Sequence, residues 1–203
     1  RIAAIMPMHV LGHPVDMDKL QILADSYGLP IVADAAEAVG SAYKAKPVAG
    51  RGMLSAVSFN GNKIITTGGG GAILTNDAQL AARAKHLTTT AKQPHAWDFI
   101  HDEVGYNYRM PNINAAIGCA QLEQLAGFLI SKRALATRYK NAFSKQSYFE
   151  FINEPANAQS NYWLNAVRIP DPVQRDEVLA ALHDQGYMCR PLWRLIHRLE
   201  MYK

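Results

Sequence analysis

Lys63 closes the run Ser58-Phe59-Asn60-Gly61-Asn62-Lys63 and stands just ahead of Thr66-Thr67-Gly68-Gly69-Gly70-Gly71. A primary amine between an apolar strand and a glycine-rich turn is poorly placed for solvent. It is well placed to form an imine with a carbonyl cofactor. Upstream, Ile31-Val32-Ala33-Asp34-Ala35-Ala36-Glu37 reads as an apolar strand that ends in a carboxylate. The ends of parallel strands are the usual ligand edge of an α/β sheet. A lysine and an aspartate on the ends of successive strands meet the needs of pyridoxal 5'-phosphate. The lysine supplies the covalent link, and the aspartate holds the pyridine proton that makes the ring an electron sink. Each residue alone has a plainer reading, Lys63 as a surface lysine and Asp34 as a helix cap or solvated loop acid.

Neighbouring residues extend this chemistry. The Ser58 hydroxyl can donate to a cofactor phosphate, or bond its own backbone at a strand end. The glycines Gly68 to Gly71 follow the lysine and lack the GxxxxGK spacing, so they are not a nucleotide P-loop. They let the backbone pass close to a ligand instead. His9 and His13 are four apart on a strand–loop rather than on a helix, and no HExxH occurs. No metal site is therefore expected, and the two histidines are candidates for lining a substrate entrance.

The elements that must position these groups follow from pattern. Ala3 to Val10 reads as a short strand that runs into a loop marked by Gly12 and Pro14. Asp16 is placed to cap a helix over Met17 to Tyr27, with Leu20, Leu23 and Ala24 on one face and Gly28 ending it. Ile31 to Ala33 is the next strand, and the strand–helix–strand order implies a right-handed parallel crossover. Strands at Ala56 to Phe59 and Ala72 to Thr75 follow, the latter placed to run antiparallel. Asp77 opens a helix to about Leu87. Thr88 to Asn107 is a long, irregular, aromatic-rich loop, a length that suggests binding or interface work. Helices are expected from Pro111 and Asn112 to about Leu125, and from about Ser131 to Ser144. A smaller part follows, with strands at Phe149 to Ile152 and Tyr162 to Ile169 and a helix from Val173 to Asp184 ended by Gly186.

In order and spacing, Asp34-Ala35-Ala36-Glu37, Ser58-Phe59 with Lys63, and Gly105-Tyr106-Asn107-Tyr108-Arg109 resemble the DegT–DnrJ–StrS aminotransferases of nucleotide sugars. Leu87 to Lys92 followed by His101-Asp102-Glu103-Val104-Gly105 is similar to the branch making 4-amino sugars of legionaminic-acid and bacillosamine type. The resemblance covers essentially the whole chain. It implies an incomplete fold-type-I transferase fold, α/β, resembling the large domain of aspartate aminotransferase, with a small α+β C-terminal part. Residues 1–128 would be a partial cofactor-binding large domain. Residues 129–203 would be a bridging helix and a partial small domain.

The resemblance also implies roles. Lys63 would hold the cofactor and then move a proton as general base and acid. Some relatives carry histidine there and become dehydratases, so the lysine supports amino transfer. Asp34 would pair with the pyridine nitrogen, and Glu37 would lie near the cofactor's O3′. A charged Glu37 facing a phenolate would be repelled unless one of them carries a proton, and the sequence leaves open which. Ser58 would bind the phosphate, as would Asn107 from a neighbouring subunit, so the site would be shared in a homodimer with residues around Tyr106 to Pro111 near the contact. Arg109 would support that loop or meet an anion. Arg190, in Arg190-Pro191-Leu192-Trp193, would close over the nucleotide sugar. The implied reaction moves an amino group from an amino acid, glutamate being the expected donor, to a 4-keto nucleotide-diphosphate sugar for a surface glycan. Relatives are roughly twice this long. The expectation is a chain truncated at both ends, without the family's first strands, a phosphate-binding turn and the aromatic ring that stacks on the cofactor. The alternative reading is a catalytically incompetent fragment that folds as a binding domain.

Composition narrows the classes. The 203 residues carry a formal charge of +4 and 49% hydrophobic residues. The basic residues are scattered, which disfavours nucleic acid and suits small anions. Cys119 and Cys189 lack CxxC spacing and read as free thiols in a reducing cytoplasm. No apolar run reaches membrane-span length.

Overall fold

The computed structural model describes residues 2–202. An extended N-terminal segment bridges in parallel to the following strand at Ile5↔Ile31 and Met8↔Asp34. It is too irregular to form a regular strand, and it ends in a tight turn over Val10–Gly12. Helix α1 (Met17–Tyr27) starts where the Asp16 carboxylate accepts the Lys19 N–H. It stops at Gly28, which adopts the left-handed conformation that glycine takes without strain. Ala24 is buried and Leu20 half-buried, but Leu23 is 48% exposed, so the expected apolar face is narrower by one residue.

Strand β1 (Val32–Asp34) follows. Strands β2 (Ala42–Tyr43) and β3 (Lys46–Pro47) then form a hairpin that sequence reading missed. Its two turn residues, Lys44 and Ala45, both have positive φ without being Gly or Asn. Strand β4 (Leu54–Ser58) pairs parallel to β1, with Val32↔Leu54 and Asp34↔Ala56 in register. Strand β5 (Gly71–Leu74) returns antiparallel along β4. The main sheet therefore runs N-terminal segment, β1, β4, β5. Beneath it lies a core of Met17, Ala24, Ile31, Ala35, Ala38, Tyr43, Val48 and Val57.

Helix α2 (Ala78–Thr88) is capped by Asp77, whose carboxylate accepts the N–H groups of Gln79 and Leu80. The segment after it is pinned back on itself by bridges Thr89↔Asn107 and Lys92↔His101. Helices α3 (Asn112–Glu123) and α4 (Leu125–Phe143) are contiguous but bent by 61°. Helix α4 thus begins six residues before the expected start. Strand β6 (Glu150–Phe151) pairs with β8 (Val167–Arg168), while β7 (Ala158–Gln159) pairs with β2. Helix α5 (Pro172–Asp184) carries Pro172 at its first turn and Asp171 as cap.

The expected strand over Tyr162 to Ile169 is reduced to Val167–Arg168. Tyr162 sits at φ 47°, and the turn around it is held by buried side chains rather than by a ladder. No single helix among the described residues is long and apolar enough to cross a membrane, although α3 and α4 pass that test together as a bent pair.

Candidate active site

The parallel strands β1 and β4 end side by side, and the chemistry gathers there. After Asp34 the chain turns sharply. The Asp34 Oδ1 accepts the Ala36 N–H at 3.0 Å, which fixes the carboxylate at the strand end. Its Oδ2 accepts no hydrogen bond among the described residues. Ala35 and Ala38 are fully buried, so this turn is clamped to the core and Glu37 is carried inward to 5% exposure.

Glu37 Oε2 accepts the Leu11 N–H at 2.6 Å. Leu11 has a φ of 59°, a conformation L-residues seldom take and one that recurs at functional sites. Burial pushes the Glu37 carboxyl above the ordinary carboxylate range; the Leu11 N–H and Lys63 pull the other way, and Asp34 adds to the rise.

From β4 the chain continues through Phe59 to Lys63. Phe59 N donates to Gly70 O and Thr67 N donates to Phe59 O, so the lysine turn is closed by the glycine run. Gly71 is required by close approach, since a Cβ there would lie 2.5 Å from the Val57 carbonyl oxygen. The Lys63 side chain is only 14% exposed, and its Nζ lies 3.9 Å from Glu37 Oε1. The same Nζ stands 4.0 Å from the centroid of the Trp163 ring. Trp163 is buried and donates its Nε1–H to the Asn62 carbonyl at 2.6 Å. At the end of β4, Ser58 Oγ accepts the Asn60 N–H at 3.2 Å, which leaves the hydroxyl proton free to donate.

The residues expected to form the site divide into two groups. Lys63 and Glu37 are in contact, and Asp34 is close enough to perturb Glu37 and His9 electrostatically. Ser58 is half-buried on the same strand end. His9 is fully enclosed rather than set at an opening. Its Nδ1 accepts the Val15 N–H at 3.2 Å, and its Nε2 is buried without a partner among the described residues. Burial lowers its pKa to about 4, partly opposed by Asp34. His13 packs edge-on against Tyr162 with centroids 5.2 Å apart. Asn107, Arg109 and Arg190 are exposed. No hydrogen bond or ion pair among the described residues joins these three to the Lys63 group.

Asn107 belongs to the pinned loop, whose Tyr106 and Tyr108 rings stack at 5.2 Å. His86, Asp102 and Glu103 bring ligand atoms within 4.8 Å of one another. They act as a clasp between α2 and this loop: Asp102 meets His86 Nε2 at 2.7 Å and accepts from Gln93, and Arg83 pairs with Glu103.

Two contributors had no signal in the sequence. Asn161 is completely buried, donates to the carbonyls of Glu37 (2.7 Å) and Val39 (2.9 Å), and accepts the Trp163 N–H at 2.8 Å. Trp163 presents its ring to Lys63 Nζ. Both belong to residues 158–163, which are woven into the main body although they follow the expected boundary near residue 128. Ser160 Oγ donates to Gly12 O and Asn161 N to Ser41 Oγ.

The family model for DegT/DnrJ/EryC1/StrS aminotransferases matches residues 1–203. The chain belongs to that family. It is 41% identical over 199 residues to GDP-perosamine synthase of Escherichia coli O157:H7, covering 98% of this chain and 54% of that protein. It is 37% identical over 209 residues to GDP-perosamine synthase of Caulobacter vibrioides, covering all of this chain and 55% of that one. Helicobacter pylori PseC, an aminotransferase involved in the biosynthesis of pseudoaminic acid, superposes with a TM-score of 0.94 at 25% identity, covering 100% of this chain and 55% of PseC. The chain thus spans about half the length of the relatives it matches, and its fold is part of a fold-type-I transferase. Aminotransferases of this family depend in general on pyridoxal phosphate.

Proposed function

We propose that this chain carries the lysine-bearing part of a pyridoxal-phosphate site. The reaction it serves moves an amino group from an amino acid, glutamate in our reading, to a 4-keto nucleotide-diphosphate sugar for surface-glycan synthesis. One observation carries the reading: a screened lysine amine that makes no hydrogen bond among the described residues, beside a buried carboxylate and a strand-end aspartate with an uncommitted oxygen.

The donor set fits the cofactor. Lys63 would bind its carbonyl carbon, Asp34 Oδ2 its pyridine nitrogen, and the Ser58 hydroxyl its phosphate. When bound, the cofactor supplies an electron sink for the amino-acid α-carbon. Lys63 is the group able to take and return the proton at that carbon. Asp34 holds a proton on the ring nitrogen, and Glu37 orients the lysine while its own carboxyl is fixed by Leu11 N–H. The buried walls of Ile64, Ile65 and Trp163 exclude water from that transfer.

The exposed aromatic loop supports a homodimer whose partner contact lies around Tyr106 to Pro111, with Asn107 reaching the neighbour's phosphate site. Tyr108 is 71% exposed and Ile113, on the adjoining first turn of α3, 78%; apolar surface gathered this way favours association. In our reading Arg109 supports this loop and Arg190 closes over the sugar nucleotide. The free thiols Cys119 and Cys189 suit a reducing cytoplasm. The test is a visible absorption spectrum of the 203-residue chain titrated with pyridoxal phosphate. A band lost on borohydride treatment and missing in Lys63→Ala is expected. The same band persisting in Lys63→Ala would refute the assignment.

A further inference from the structure

The Lys63 amine makes no hydrogen bond among the described residues, while the Lys63 backbone N–H donates to Asn60 O at 3.1 Å. Two groups face the amine. Glu37 Oε1, on the turn after β1, lies 3.9 Å away. That is an ion-pair distance but too long for a hydrogen bond, and Glu37's other oxygen is committed to Leu11 N–H. Asp34, at the end of β1, acts electrostatically on Glu37, and no hydrogen bond or ion pair among the described residues joins it to the amine. The second group is the indole face of Trp163, 4.0 Å from Nζ to the ring centroid. That is well inside the reach of a cation–π attraction, which is strongest for tryptophan and gains from desolvation.

The indole is not a chance neighbour. It is 4% exposed. Its Nε1–H is fixed to the carbonyl of Asn62, the residue preceding the lysine. Its own N–H is fixed by the buried Asn161. Trp193 lies parallel to it, 6.2 Å away with an interplanar angle of 1°. One side chain therefore anchors the backbone at the lysine's foot and presents an electron-rich face to its head.

We infer that Trp163 is a positioning residue for Lys63: its ring is the station that holds the free ammonium whenever the lysine is not covalently engaged. This rests on Lys63 being the cofactor lysine and adds a residue that the local motif does not contain. The ring shares this work with Glu37, so neither the charge pair nor the face acts alone. Removing the ring's attraction frees the amine to leave the indole face, sample other rotamers and meet solvent reagents.

The test uses the cofactor-free 203-residue chain. It measures the acetylation rate of Lys63 by a small anhydride at fixed pH, read on the Lys63 peptide by mass spectrometry. The tryptophans are replaced biosynthetically by mono- and multiply fluorinated analogues, which draw electron density from the ring face at nearly constant volume. Trp163 is the one tryptophan whose ring underlies Lys63. Lys92, which stands 4.1 Å from the Phe99 ring, is the internal control. The Lys63 rate should climb with each fluorine, to about 3- to 10-fold in all, while the Lys92 rate stays level. Trp163→Leu should give a rise at least as large. A flat series for Lys63 would overturn the inference, even if Trp163→Leu lowers stability, because fluorination leaves the packing in place. The spectroscopic titration with Lys63→Ala is independent. A normal cofactor band with a flat fluorine series defeats the tryptophan station alone. A sloping series with no band defeats the cofactor reading alone.

Discussion

Acidification should unfold this protein through His9, and the size of the effect follows from where that ring sits. His9 is completely enclosed, next to the strand end that bears Asp34, to which its backbone N–H donates at 3.0 Å. Its Nδ1 is the acceptor for Val15 N–H. Protonation would bury a charge and also turn that acceptor into a second donor facing a donor. The folded pKa is accordingly lowered from 6.5 to about 4, burial being the main cause, with Asp34 opposing and Arg51 adding. The folded state resists a proton that the unfolded chain accepts. The contribution is therefore fully present above pH 6.5 and is lost as pH falls through the window down to about 4. The gap is roughly two and a half pH units, and each is worth about 1.4 kcal/mol, so ~3 kcal/mol of stability should disappear across it. His13, also lowered by burial, adds in the same direction. Glu37, raised by burial, works in the opposite sense and gains stability as pH falls through its folded value. Subtracting a non-titrating variant isolates the His9 share. Urea denaturation of the wild type and of His9→Gln at pH 7, 6, 5 and 4 is the assay. The wild type should lose about 3 kcal/mol more than the variant over the series. Equal pH slopes in the two proteins would show that His9 does not sense protons as its burial requires.

Three further outcomes are expected. Asp34→Asn should keep a borohydride-sensitive cofactor band yet lose nearly all amino transfer, since an amide cannot balance a protonated pyridine; near-normal turnover of the enzyme carrying it would give Asp34 another job. Gly12→Ala should destabilise by roughly 2–4 kcal/mol in urea titrations, because Gly12 has φ +87° and an added Cβ would fall 1.8 Å from Asn161 Oδ1; a change below 1 kcal/mol would contradict the packing there. Asn161→Ala should cost about 3 kcal/mol by stranding two buried carbonyls and the Trp163 N–H, and should loosen Lys63 so that its acetylation also speeds up; unchanged melting would contradict the role of this side chain.

The local parts of this molecule were legible because each is written within a few residues. Helix α1 is announced by Asp16 and closed by Gly28, and both act through bonds to their immediate neighbours. Asp77 does the same for α2. The pattern of apolar runs located β1, β4 and β5. That Asp34 ends a strand paired in parallel with the one ahead of Lys63 follows from the strand order and is seen in the register Asp34↔Ala56, with Lys63 itself in the turn beyond β4. That Lys63 would be screened was readable from the flanking apolar and glycine residues.

Tertiary structure alone decided the rest. The hairpin of β2 and β3 turns through Lys44 and Ala45, which lack the usual turn chemistry and are held by pairing with β7 far along the chain. Tyr162 to Asn165 alternate too weakly to distinguish a strand from a turn. The outcome is set by Asn161, whose partners Glu37 and Val39 lie more than a hundred residues away in the sequence. His9 and His13 read as entrance residues because sequence does not record burial, which here encloses His9 completely. Trp163 could have been any core tryptophan. Sequence determined which groups could do chemistry and which short elements carry them. Folding decided which distant side chains close around them, because those contacts depend on long-range packing and on desolvation, and neither is written in local spacing.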